Sequence, residues 1–168
     1  MLRCGPGRPW RRPSVAREER IVITDSEILI GVLITLINIA IHAVLMTEVT
    51  WVARRISAAS QHLYPRAHAA LVMMATVTVL LSAHLAEVAV WAVAYGTLGV
   101  VEHWRDAAYF AFVNYTTLGY GDILPASDWR LLGPIAAMNG VLLFGWSTAV
   151  IYDVLRSVVD VIGSKQQG

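Results

Sequence analysis

The chain has one cysteine, Cys4, and little charge: 15% of its 168 residues are Asp, Glu, Lys or Arg, and the net charge is +1. A lone cysteine makes neither an intrachain disulfide nor a cysteine zinc site, and no hydrophobic run precedes it as a lipoprotein signal requires. A near-neutral balance, with no basic patch interleaved with aromatics beyond the N-terminus, gives no reason to expect nucleic acid as a partner. No paired carboxylates, no nucleophile beside a base and no recurring metal-ligand cluster stand at catalytic spacing, so the chain is not expected to be an enzyme. Internal repeats are absent as well. What the chain has is apolar surface: 57% of residues are hydrophobic, too many for an ordinary soluble domain of this length, and the expected solvent is a lipid bilayer.

Three segments are long enough to cross a hydrocarbon core of about 30 Å, which takes roughly 20 residues. They run over about 28–46, 67–95 and 131–155. Pro134 falls in the first turn of the third, where a missing N–H costs little. Residues 1–20 hold Arg3, Arg8, Arg11, Arg12, Arg17 and Arg20 among prolines and glycines, a composition that cannot bury a core. That basic stretch is too long, and the apolar run after it too extended, for a secretory signal. Between the first two spans, Trp51, Val52, Ile56, Ala59 and Leu63 fall at helical spacing with Arg54 and Arg55 elsewhere, which predicts a short helix on the membrane surface.

The segment between the second and third spans carries the chemistry. From Asp106 to about Thr116 there is neither glycine nor proline, which predicts a helix of about 16 Å, half a bilayer. Such a helix enters the membrane without crossing it. The residues that follow, Thr116-Thr117-Leu118-Gly119-Tyr120-Gly121-Asp122, must then be buried in protein or line a watery cavity, because non-helical backbone at membrane depth is tolerated nowhere else. Gly119 and Gly121 reach dihedral angles closed to other residues, so successive carbonyls can turn toward one axis.

At these residues the sequence resembles the potassium channel pore family, whose filter reads Thr-Val-Gly-Tyr-Gly-Asp; Leu118 in place of valine is the one departure from Thr117 to Asp122. The carbonyl stack is the selectivity device of that family and comes to this chain by resemblance. It implies an all-α membrane protein with three transmembrane helices, a re-entrant pore helix and a selectivity filter, assembled as a homotetramer because a ring of carbonyls needs four copies. It further implies potassium ions held by the carbonyls of Thr117, Leu118, Gly119 and Tyr120 and the Thr117 hydroxyl. Thr116, Gly121 and Asp122 would flank these sites, with Asp122 at the outer mouth. Tyr120 would turn its ring from the axis against Tyr109, Phe110, Phe112 or Tyr115. The organisation is then a basic, unstructured N-terminus (1–20), an extra span with an amphipathic linker (21–66), a pore domain (67–155) and a short tail (156–168). The expected function is passive, potassium-selective conduction across the plasma membrane by a multi-pass protein. The lipid bilayer and further copies of the chain are its partners, and no cofactor is needed beyond the permeant ion. A weakly selective cation channel and a non-conducting modulatory subunit are the alternatives.

Other polar residues in the spans leave two readings open. His84 and Glu87 share a face of the second span; in some family members a carboxylate four positions before the filter threonine supports the filter, and here Val113 stands there. Glu87, with His84, either supplies that polar group or joins two helices by a buried hydrogen bond. Thr35, Asn38 and His42 on the first span read as polar glue at a helix contact. Gly140 and Gly145 either bend the third span or let helices pack closely. Asp153 either forms a ring of carboxylates at the inner mouth or is solvated. No arginine or lysine lies in the first span, so no voltage sensor is expected, and the short tail after Leu155 suggests no regulatory domain. His84 with Glu87 and His103 with Glu102 are the groups expected to make the current fall with external pH through about 6.5. An odd number of spans also puts the arginine-rich N-terminus on the filter's outer side, against the usual bias of basic residues toward the cytoplasm, and the pore is expected to fix the orientation.

Overall fold

In the computed structural model, which describes residues 25–166, the chain is helical and has no strand among the described residues. The helices are α1 (Asp25–Ala59), α2 (Pro65–Thr97), α3 (Trp104–Tyr115) and α4 (Leu132–Gln166), with a 3₁₀ turn at Ser127–Trp129 before the last. Three of them are long and apolar enough to cross a membrane. The arginine-rich stretch 1–20 lies outside the described residues.

Local chemistry sets the helix ends. Pro65 opens α2 in its first turn, where no backbone partner is lost. Gly99, at φ +66°, closes it: the Val100 N–H reaches back to the Tyr95 carbonyl at 3.0 Å, satisfying a carbonyl that the helix leaves open. The 12 residues of α3 amount to about 18 Å, half a bilayer as the composition predicts, with Asp106 in the first turn complementing the helix dipole.

The stretch after residue 46 differs from expectation. No separate surface helix forms: α1 continues without a break to Ala59. The apolar positions of that stretch are used inside the protein, with Ala53 buried and Ile56 partly buried against Val72 of α2 and Val154 and Val158 of α4. Two partner helices reward that face more fully than a membrane surface would. Trp51 does stay exposed, and the guanidinium of Arg55 lies 4.9 Å from its ring centre.

The main core joins all four helices. Trp91 and Tyr95 of α2, Phe110 and Tyr115 of α3, Leu132 and Ala136 of α4 and Ile34 of α1 form one buried cluster, so α3 is held in a cradle of three long helices. Large apolar side chains such as Leu29, Leu33, Met74, Leu81, Met138 and Tyr152 remain outside it, as lipid or neighbouring copies allow. At the end of the bundle that carries residues 117–131, buried Glu27 of α1 accepts the Leu131 N–H, one of the donors at the start of α4 with no helical partner. The chain therefore enters α1 on the same side as the segment that follows the glycine motif. Arg54, Arg55 and Arg66 lie toward the opposite end.

Candidate functional site

Residues 117–121 leave α3 with a distinctive backbone. Thr117, Gly119 and Gly121 have φ of 60°, 59° and 74°, while Leu118 and Tyr120 between them do not, so the left-handed conformation recurs at every second residue. That alternation turns successive peptide carbonyls to the same side. Thr117 is the one non-glycine residue with positive φ among those described, and a β-branched side chain in that region costs about 1–3 kcal/mol. Hydrogen bonds at the base hold the turn: Thr117 N–H to the Asn114 carbonyl and Leu118 N–H to the Val113 carbonyl, each at 2.9 Å. Val113 thus supports the segment through its carbonyl. Among the described residues, the carbonyls of 117–120 accept no hydrogen bond.

The whole segment 116–122 is exposed in a single chain. Thr116 caps its own helix, its hydroxyl donating to the Phe112 carbonyl at 2.7 Å. The ring of Tyr120 is 67% exposed in the single chain. Asp122 is the residue fixed by α3: the Tyr109 hydroxyl donates to its Oδ2 at 2.8 Å. That tie was not legible in the sequence, since it needs the segment to fold back along the helix.

Behind α3 lies a buried polar network. Glu87 on α2 is fully buried; its Oε1 is 2.7 Å from His42 Nδ1 of α1, and its Oε2 is 3.0 Å from His84 Nδ1. The Tyr115 hydroxyl, at the end of α3, donates to the same Oε2 and lies 3.0 Å from His84 Nδ1. On the other side of that imidazole, Nε2 is 3.0 Å from Ser147 Oγ of α4. Nearby, Asn38 Nδ2 donates to Asn139 Oδ1 at 2.9 Å and to the Glu87 carbonyl at 3.3 Å, and Trp91 Nε1 donates to the same Asn139 oxygen at 3.0 Å. All four helices meet here. Glu87 and His84 contact the last residue of α3 and not the glycine segment itself. His42 and Asn38 are the glue that their shared face suggests, whereas Thr35 bonds only within its own helix, to the Gly31 carbonyl. The sequence alone did not pair His42 with Glu87 or Tyr109 with Asp122, nor point to Asn139 or Ser147; polar residues inside apolar spans were the available signal, and the register between helices was the missing part.

Gly140 and Gly145 of α4 separate cleanly. A Cβ at Gly140 would run into the carbonyl oxygen of Tyr115, so this glycine permits a close approach of α4 to the end of α3. Gly145 has nothing within 4 Å of that position. Asp153 lies on the flank of α4 that faces α1, where it lines a cavity of about 270 Å³ with Thr50, Arg54, Ser57 and Ser157. Glu102 and His103 are exposed at the start of α3.

Residues 83–157 match the family described as "Ion channel". None of the curated proteins and no solved structure matches the chain. The matched segment takes in His84 and Glu87, all of α3, the glycine motif and α4 as far as Asp153 and Arg156. Residues 83–157 of this helical chain are thus similar to the ion-channel family, and the resemblance to the potassium channel pore falls inside them.

Proposed function

We propose that the chain is the subunit of a potassium-selective channel that conducts ions passively, four copies surrounding one axis in the plasma membrane. The observation that carries the reading is the alternation of left-handed backbone at Thr117, Gly119 and Gly121 within a filter-like sequence. Carbonyls aligned in this way and free of hydrogen bonds are equipped to replace the water around a dehydrated cation. In this role the carbonyls of Thr117, Leu118, Gly119 and Tyr120, with the Thr117 hydroxyl, coordinate the ion, Gly121 completes the turn, and Asp122, held by Tyr109, stands at the outer mouth. The exposed ring of Tyr120 and side chain of Leu118 are left for neighbouring copies to cover, which favours an assembly over a single chain.

The exposed stripe of α4 through Val141, Gly145, Thr148 and Tyr152 is the natural lining of the path below the filter. Gly145 is then the residue at which that helix can bend, and Gly140 is a packing residue. Asp153, facing α1, is poorly placed for a carboxylate ring on the axis. His84 and Glu87 act from behind, by holding Tyr115 at the base of the filter.

The test is flux into vesicles reconstituted with purified protein. Potassium uptake well above sodium uptake is expected, and the Gly119→Ala variant is expected to lose that preference. Equal uptake of the two ions would favour a weakly selective pore. Silent vesicles that conduct only after a second membrane protein is added would favour a modulatory subunit.

A further inference from the structure

The meeting of His42, His84 and Glu87 behind α3 is more than a set of hydrogen bonds. The ligand-capable atoms of these three side chains all lie within 4.8 Å of one another. They come from two helices: His84 and Glu87 project from one face of α2 at i and i+3, and His42 reaches across from α1. A fourth donor, the Tyr115 hydroxyl, lies 3.0 Å from His84 Nδ1 and bonds Glu87. We infer that His42, His84 and Glu87, with Tyr115 beside them, form a binding site for a zinc-class divalent cation inside the membrane bundle.

Two imidazoles and a carboxylate are a common zinc donor set, completed by one more ligand in a tetrahedral site. Bonds of about 2.0–2.1 Å put tetrahedral donors roughly 3.3 Å apart. The present separations of 2.7 and 3.0 Å between Glu87 and the imidazoles therefore need to widen by about 0.3–0.6 Å, all three donors already lying within 4.8 Å of one another, and hard cations such as magnesium or calcium, which want more oxygens, fit poorly. The far sides of the imidazoles suit the same form. His84 Nε2 faces Ser147 Oγ at 3.0 Å, a hydroxyl able to accept from that nitrogen when Nδ1 binds the metal. His42 Nε2 is buried without a hydrogen-bond partner, and the ring packs against the indole of Trp146 with 5.2 Å between centroids; an aromatic face accommodates an N–H there better than a lone pair. A proton on each Nδ1 satisfies its contact with the carboxylate, and in the tautomers with Nδ1 unprotonated a bound cation takes that place. The fully buried Glu87 charge favours a cation there, since an unneutralised carboxylate within apolar spans is costly.

Tyr115 ends the helix that leads into residues 116–122, so an ion here would clamp α1, α2 and α3 at the base of that segment. This consequence rests on the channel reading. Binding itself does not, and is measured without conduction. Untagged full-length protein in detergent, stripped with chelator, loaded with Zn²⁺ and gel-filtered, is expected to retain one Zn²⁺ per chain. X-ray absorption of that wild-type sample should show imidazole nitrogens and oxygen at about 2.0–2.1 Å. His42→Gln and His84→Gln should each weaken binding on the order of 100-fold or more, while His62→Gln, in the exposed turn after α1, should leave it unchanged. A wild-type protein that retains no zinc, a spectrum without imidazole, or equal retention in the His42 and His84 variants would overturn the assignment.

Discussion

Thr117, Gly119 and Gly121 share an unusual backbone region but differ in how freely they occupy it. The two glycines do so at little cost, while Thr117 carries a β-branched side chain for which the region is costly. At Gly119 the space around a new Cβ is nearly open, the closest atom being the Thr117 carbonyl oxygen at 4.0 Å, so the penalty for alanine is conformational and not steric. Gly119→Ala should therefore fold and assemble but conduct without preference for potassium, as read from relative K⁺ and Na⁺ flux. The α4 glycines make the opposite contrast. Gly140→Ala must push α4 away from the Tyr115 carbonyl and should lower thermal stability by about 1–3 kcal/mol, the usual cost of overpacking. Gly145→Ala fills open space in a helix and should raise stability by up to about 1 kcal/mol, any loss appearing in channel opening. Thermal unfolding in detergent, set beside open probability, separates the two.

At the scale of elements, α3 is short, buried on one side by aromatic residues, and fastened at its end by Tyr115. Tyr115→Phe keeps the ring packing against Phe144 but removes the hydroxyl that Glu87 and His84 share. The expected loss is about 1–3 kcal/mol, the range for a buried polar group deprived of its partner. Glu87→Ala strips three partners at once and should cost more, about 3–5 kcal/mol. A melt in which Tyr115→Phe equals the parent would show that the hydroxyl carries no weight in the fold.

These elements also show what the sequence makes legible. The three spans, the half-length α3 and the glycine segment follow from run lengths and from glycine and proline placement, which are local properties. The continuation of α1 through Val52 and Ile56 was hidden, because an apolar stripe fits a membrane surface and a neighbouring helix equally well and only the presence of α4 decides between them. The same limit applies to the network. His84 and Glu87 stand out at i and i+3, yet their link to His42 depends on how α1 lies against α2, and Glu27 capping α4 joins residues about a hundred positions apart.

For the whole molecule, the governing fact is how much of the filter segment one chain leaves uncovered. Leu118 is 53% exposed and Tyr120 67%, at a depth where unpaired backbone and a phenol need protein or water around them. In the proposed assembly four copies about one axis would supply both, and native mass spectrometry from detergent should then give a particle of about four times the 18.4 kDa chain. The fold also favours one side of the conflict over orientation. Glu27 pins the start of α1 beside the start of α4, while Arg54, Arg55 and Arg66 lie toward the other end; if the proposed filter faces outward, that end is cytoplasmic and suits the bias for basic residues there. A reporter fused ahead of α1 is accordingly expected on the outer face. The most direct measurement of the central claim is the reversal potential of single channels in a planar bilayer with potassium on one side and an equal concentration of sodium on the other. A reversal far from zero, in the direction set by potassium leaving its own side, is the predicted result; a reversal at zero in a conducting channel would contradict potassium selectivity and the role given to residues 117–121.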